Sequence, residues 1–210
     1  MATTRTPTPE REERRAVREP LELRDADGKA TLRGYASVFN VETVIGSAPF
    51  GFREQVAPEA FDDALKNDDV RALFNHNPDI LLGRTESGTL RLSVDSKGLR
   101  YDVDLPDTAQ ARDVRTLIQR GDVSGSSFGF TVEADEWDER EVKKGKLPLR
   151  TIRKVVLYDV SPVTYPAYPQ TSVSARSQAQ AVVEQVTAAT AAEARNMARQ
   201  AINRAKAWRG

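Results

Sequence analysis

The sequence predicts a mainly β fold with flanking helices, of the α+β class. Residues 90–94 and 99–103 each alternate apolar and polar side chains around a short polar turn, which is typical of a β-hairpin with one buried face. A second alternating segment near 127–132 and a β-branched segment at 151–163 indicate two further strands. A short amphipathic segment lies between the hairpin and these strands, and it favours a helix.

Four segments before the hairpin have patterns that indicate their structure. Residues 1–20 are rich in Thr, Pro, Arg and Glu and have almost nothing to bury, so we expect a disordered N-terminal segment. Residues 32–39 suit a first strand with an irregularity, and 58–65 suit a short helix that begins at a proline. Residues 70–74 indicate a short strand that leads directly to His76 and a proline-containing loop.

The segments after the hairpin complete the domain. Asp107 to Gln110 has the spacing of a capping box, an apolar stripe follows, and Gly121 is expected to end that helix. Residues 133–141 are acidic and predict an exposed loop. The protein domain is therefore expected to span 21–175. Residues 176–210 predict a helical tail, whose basic side chains are Arg195, Arg199, Arg204, Lys206 and Arg209.

Composition excludes several kinds of site. The 210 residues contain no cysteine and one histidine, which excludes disulfides, thiolate metal sites and multi-histidine zinc sites. The 31 basic and 31 acidic residues cancel, so no nucleic-acid partner is required, and no apolar segment reaches the roughly 20 residues of a membrane span. We expect a soluble intracellular protein without cofactor or metal. A metal site in the acidic segment 133–141 is the weaker alternative.

Ser127 is the candidate nucleophile. Gly125 to Gly129 fits G-x-S-x-G, but a nucleophile elbow needs a helix after the serine and a histidine downstream. Here a strand pattern follows and the histidine lies upstream, so the α/β-hydrolase class is rejected. A serine still needs an adjacent base, and His76 is the only imidazole. The alternative is that these small residues only permit close packing of strands.

The third member should be a carboxylate that orients the imidazole. Asp159 lies in an otherwise apolar strand, where an unpaired carboxylate would be costly. It is expected to share one side of that strand with Arg153, Val155 and Leu157. Asp79, three residues after His76, is the competing choice.

Four segments accompany the chain order His76, Ser127, Asp159. They are Arg33 to Phe39, Phe74 to His76 with Leu82 to Arg84, Gly125 to Phe130, and Asp159 to Thr164 with Pro166 to Pro169. Their order and spacing resemble the tailed-phage prohead (capsid maturation) protease family, which is similar in fold to the herpesvirus assemblin proteases. The resemblance spans about residues 21–175. Family members often have Met or a similar residue at the position of Ser126, which leaves two adjacent hydroxyls as candidates, and Ser127 is preferred because it directly precedes Phe-Gly-Phe.

This resemblance implies a closed, mostly antiparallel β-barrel flanked by helices. It also implies a serine endopeptidase with His76 as base, Ser127 as nucleophile and a carboxylate at Asp159. The implied substrates are the scaffolding portion of the major capsid protein precursor and the protease itself, inside the immature prohead in the host cytoplasm. The resemblance leaves open whether the protease forms a homo-oligomer. The competing hypothesis is a non-enzymatic capsid-assembly or scaffold-binding module that docks through the basic C-terminal helix.

Overall fold

The computed structural model describes residues 12–26, 29–46, 51–166, 180, 183–197 and 200. Residues 58–61 and 142–144 form short 3₁₀ segments, and residues 183–197 are helical. The helices of the domain are α1 (Ala64–Asn67) and α2 (Ala109–Gln119). The strands are β1 (Glu13–Val17), β2 (Glu22–Ala26), β3 (Lys29–Val38), β4 (Thr43–Ile45), β5 (Phe52–Val56), β6 (Arg71–Phe74), β7 (Asn77–Arg84), β8 (Leu90–Val94), β9 (Gly98–Asp104), β10 (Gly125–Asp138) and β11 (Leu149–Val163).

Two sheets share one apolar core. The larger sheet has the order β1-β10-β11-β5-β4, with β6 paired to β11 and β7 paired to β6. The smaller sheet has the order β2-β3-β9-β8. Side chains from both sheets and from α2 meet in the core, and each removes apolar surface from water. Its large members include Leu32, Leu99, Tyr101, Phe128, Phe130 and Leu157.

The expected closed barrel is wrong, because neither sheet closes within the part of the chain that the structure describes. The reason lies in β11, whose 15 residues take different partners along their length. Leu149–Ile152 pairs in parallel with β5, and Asp159–Val160 pairs in parallel with β6. The larger sheet therefore branches at β11 instead of returning to β1. These two parallel pairings also limit the predicted antiparallel character.

The hairpin and the helix were predicted from local patterns. Strands β8 and β9 pair as expected, with Leu92 opposite Tyr101, which confirms the hairpin. Helix α2 is also confirmed, and Gly121 follows it with φ +80°, a conformation that favours glycine. Its cap differs, because Thr108 rather than Asp107 accepts the hydrogen bond from the amide of Ala111.

The expectation of disorder through residue 20 is wrong for Glu13–Val17, which forms β1 and pairs with β10. The physical reason is a buried ion cluster that composition does not reveal. The Arg15 side chain contacts Glu13 at 2.5 Å and Glu54 at 2.5 Å. Arg150 contacts Glu13 at 3.2 Å and Glu54 at 3.0 Å. These pairs attach β1 to β5 and β11. Residues 1–11 lie outside the described residues.

The ion cluster predicts acid-sensitive stability. Burial raises the pKa of Glu13, but Arg15 and Arg150 outweigh burial and hold it below the ordinary 4.5. The contribution of Glu13 to stability is therefore complete above pH 4.5 and is lost as the pH falls through the lowered pKa. We expect Glu13→Gln to lower the free energy of unfolding by about 1–3 kcal/mol at pH 7. Urea unfolding measured from pH 7 to pH 3 should show that the difference in the free energy of unfolding between the wild type and Glu13→Gln becomes smaller as the pH falls.

The matched control is Glu22→Gln, which removes an exposed acid whose partner Arg24 is also exposed. This variant should follow the wild type at every pH, since exposed pairs contribute little. A constant difference between Glu13→Gln and the wild type over the whole range would refute the assignment to Glu13.

The predicted acidic loop is also wrong in part, because β10 continues to Asp138. Its acidic side chains are held by basic partners, since Asp135 contacts Arg150 at 2.6 Å and Glu136 contacts Arg153 at 2.9 Å. No group of three or more metal-ligating side chains occurs among the described residues.

The described part of the C-terminal segment is helical over 183–197. Val186 is buried, and Glu193 contacts Lys143 at 3.3 Å. Four of the five basic side chains predicted for the tail lie outside the described residues. Within the described ranges, no helix has the length and apolar character needed to cross a membrane.

Candidate active site

Strand β10 presents its two serines to opposite faces. Successive side chains of a strand alternate, so Ser126 shares a face with Phe128 and Ser127 does not. Ser126 is fully buried on the core face, where its Oγ lies 2.9 Å from the Tyr101 hydroxyl. Ser127 lies on the other face, with its Oγ 2.6 Å from His76 Nε2. Of the two hydroxyls, Ser127 is the one that contacts the imidazole.

His76 lies in the tight turn between β6 and β7. Asn75 and His76 have φ of +54° and +56°, a left-handed conformation that is costly for residues with side chains. The turn is tied to the end of β11: the amide of Asn75 donates to the Pro162 carbonyl at 3.1 Å, and the amide of Thr164 donates to Asn75 Oδ1 at 2.9 Å. The expected proline-containing loop is instead the start of β7, which includes Pro78.

Asp159 is turned out of the core by a β-bulge. Gly129 pairs with Asp159 and Phe130 with Leu157, so Tyr158 is the extra residue on β11. Leu157 lies in the core, whereas Asp159 faces the side of the sheet that holds His76. The expectation that Leu157 and Asp159 share one side is therefore wrong, because simple alternation does not continue through a bulge.

The three side chains form a connected hydrogen-bonded series. His76 Nδ1 lies 2.6 Å from Asp159 Oδ1, and His76 Nε2 lies 2.6 Å from Ser127 Oγ. A proton on Nδ1 that is donated to the carboxylate leaves Nε2 free to accept from the serine hydroxyl. All three side chains are largely buried. This arrangement can activate a hydroxyl for nucleophilic attack.

Asp79 does not join this series. It is an exposed residue of β7. Its backbone amide donates to Asn77 Oδ1 at 3.0 Å, and its side chain is not among the partners of the imidazole. The structure thus brings His76, Ser127 and Asp159 together and leaves Asp79 apart.

Two residues of the site were not assigned by sequence reasoning. Ser161 Oγ donates to Asp159 Oδ1 at 2.6 Å and accepts from the His76 amide at 3.3 Å. Gly129 lies beneath the carboxylate, where a Cβ would overlap Asp159 Oδ2. Both belong to motifs that the sequence analysis quoted, but only the bulged pairing of β10 and β11 explains why each residue type is needed there.

His76 lines two surface cavities. One, of about 320 Å³, is lined by Ser127, Ala16, Val163 and Tyr165 as well as His76. The other, of about 770 Å³, lies on the Asp159 side and is more highly charged. Ser127 lines the first cavity but not the second, so its hydroxyl is approached from the side of the first cavity.

Gly129 offers a test of the packing under the carboxylate. Gly129→Ala places a methyl group where Asp159 Oδ2 lies, so the carboxylate must shift. We expect the rate of any reaction at the Ser127 hydroxyl to fall at least about tenfold, because a misplacement of about 1 Å in an active site can cost about 10²-fold. The measurement is kcat together with the midpoint of urea unfolding. Wild-type kcat in a folded Gly129→Ala protein would contradict this role.

Comparisons with known proteins show which family the chain belongs to. A family model described as caudovirus prohead serine protease matches residues 19–185. The chain is 33% identical over 156 residues to the prohead protease of Enterobacteria phage HK97, and this match covers 71% of the chain and 61% of that relative's length. No solved structure matches the chain. The family model covers most of the chain and all three members of the hydrogen-bonded series, so the chain belongs to the caudovirus prohead serine protease family.

Proposed function

We propose that the protein is a serine endopeptidase in which Ser127 is the nucleophile, His76 the general base and Asp159 the residue that orients the imidazole. The observation that carries this proposal is the series Ser127 Oγ–His76 Nε2 and His76 Nδ1–Asp159 Oδ1, with 2.6 Å at each contact. Geometry of this kind, rather than chain order, identifies a catalytic triad.

The mechanism follows from the two contacts. As Ser127 Oγ attacks the scissile carbonyl carbon, its proton passes to His76 Nε2. Asp159 stabilises the imidazolium that forms. The C–N bond then breaks, His76 gives its proton to the leaving amine, and an acyl-enzyme on Ser127 remains. Water attacks this ester with His76 again as base, which releases the carboxylate product and restores the serine.

The proposed substrate is the scaffolding portion of the major capsid protein precursor, with the protease itself as a second substrate, inside the immature prohead in the host cytoplasm. Membership of the prohead protease family supports this substrate class. The open cavities on both sides of His76 also suit an extended segment of polypeptide.

The competing function is a capsid-assembly module without activity. The contact of His76 Nε2 with Ser127 favours the enzyme over it, because a scaffold module has no need of a buried carboxylate and imidazole aligned with a serine hydroxyl. Such a module would dock through the basic tail helix. The described part of that helix also carries an acid, Glu193, and this side chain pairs with Lys143 of the same chain.

The proposal is tested by co-expression with the capsid precursor and intact-mass analysis of both products. The expected result is a capsid protein shortened by one defined segment with the wild-type protease, and a full-length precursor with His76→Ala. Equal cleavage with both proteases would refute this mechanism. Assembly of shells around an uncleaved precursor in both cases would favour the module.

A further inference from the structure

Ser161 is a fully buried residue of β11, two positions beyond Asp159. Its hydroxyl donates to Asp159 Oδ1 at 2.6 Å, the same oxygen that lies 2.6 Å from His76 Nδ1. It also accepts a hydrogen bond from the backbone amide of His76 at 3.3 Å. One hydroxyl therefore contacts both the carboxylate and the residue that the carboxylate orients.

We propose that Ser161 is a positioning residue of the protease, which holds the Asp159 carboxylate and the His76 backbone in a fixed relation. The proposal rests on the proposed function of His76, Ser127 and Asp159. Ser161 itself touches no reacting atom and acts through these neighbours.

The backbone of the turn requires such a contact. His76 has φ +56°, a conformation that persists only where surrounding contacts fix it. Asn75 is bound to Pro162 and Thr164, which fixes the first residue of the turn. The amide of His76 is bound to Ser161, which fixes the second. Without the Ser161 hydroxyl, the His76 amide would lose this hydrogen bond, and the backbone that carries the imidazole would be less firmly held.

The carboxylate requires the same contact for another reason. Asp159 Oδ2 lies over Gly129, and Oδ1 receives both the imidazole and the Ser161 hydroxyl. A hydrogen bond to one oxygen limits rotation of the carboxylate and stabilises its negative charge. Without the Ser161 hydroxyl the carboxylate has one hydrogen-bond donor fewer to stabilise its charge, so its attraction to the imidazolium formed during catalysis becomes stronger.

Ser161→Ala gives two measurable effects. We expect kcat to fall about 10- to 100-fold with little change in KM, because a hydrogen bond to a charged group is lost while the cavities are unchanged. The acid limb of the kcat/KM profile should move to higher pH. The other charged groups that line the cavity beside His76 and Asp159 are unaltered by the substitution; they are Glu12, Arg14, Asp68, Asp69, Arg71, Arg84 and Glu86.

Ser126→Ala is the matched control. Ser126 is equally buried and has one side-chain hydrogen bond, to Tyr101, but it lies on the core face. This variant should lose stability without any movement of the acid limb. Ser161→Thr retains the donor, and its acid limb should stay at the wild-type position even if the added methyl group lowers the rate.

The proposal is overturned if Ser161→Ala keeps the wild-type kcat and acid limb, or if Ser161→Thr moves that limb as far as alanine does. Ser127→Ala, assayed in parallel, separates this result from the proposed function. An active Ser127→Ala protein refutes the proposed nucleophile, whereas an inactive one with an unchanged Ser161→Ala protein refutes only the positioning role.

Discussion

Replacement of Ser127 by alanine should lower kcat for cleavage of the capsid precursor by about 10⁴-fold or more, the loss found when a triad nucleophile is removed. The reason is that, among the described residues, Ser127 supplies the hydroxyl that is hydrogen-bonded to His76 Nε2, at 2.6 Å. The fold should remain, because the substitution removes only one oxygen from the face opposite the core. The measurement is single-turnover cleavage of the precursor, with circular dichroism to check the fold.

Ser126→Ala is the control for this experiment, since it removes the adjacent hydroxyl. Its Oγ is bound to Tyr101 in the core, where burial also raises the pKa of the tyrosine hydroxyl, so no base is available there. We expect Ser126→Ala to cleave at a rate close to that of the wild type. The reverse pattern, with Ser126→Ala inactive and Ser127→Ala active, would assign the nucleophile to Ser126.

The second large effect is expected for Asp159→Asn, which should reduce kcat by about 10⁴-fold. An amide has nearly the shape of the carboxylate but carries no charge, so it cannot stabilise the imidazolium. Its NH₂ group can also donate, which favours the imidazole tautomer with the proton on Nε2 and removes the acceptor for Ser127. Binding of substrate should change little, so the measurement is kcat and KM determined separately.

Asp79→Asn is the matched control, because it makes the same chemical change three residues from His76. Asp79 is exposed in β7 and does not contact the imidazole, so activity should be retained. If Asp159→Asn kept its activity and Asp79→Asn lost it, the orienting role would belong to Asp79.

The three side chains that the structure brings together were each proposed from the sequence. The chain has one histidine, so His76 is the only candidate base, and Asp159 is a charged residue in an otherwise apolar strand. The order of the motifs then favoured Ser127 as the nucleophile, although the choice between Ser126 and Ser127 stayed open in the sequence. The structure separates them by strand alternation, because Ser126 shares the core face with Phe128 and Ser127 does not.

The parts that could not be predicted depend on contacts between distant segments. The bulge at Tyr158 is a property of the pairing between β10 and β11, and it decides which face Asp159 takes. Strand β1 depends on the ion cluster that joins Arg15 to Glu54, 39 residues away. The branched sheet depends on the two different partners of β11. None of these features produces a periodic pattern in its own segment.

Activation of the Ser127 hydroxyl by His76 is the step on which the proposed mechanism depends. A serine-directed phosphonate, followed by peptide mass spectrometry, tests it most directly on a preparation that cleaves the precursor. We expect a single adduct on Ser127 and no adduct in the His76→Ala protein. An adduct on Ser126, or cleavage by a preparation that stays unlabelled, would contradict it.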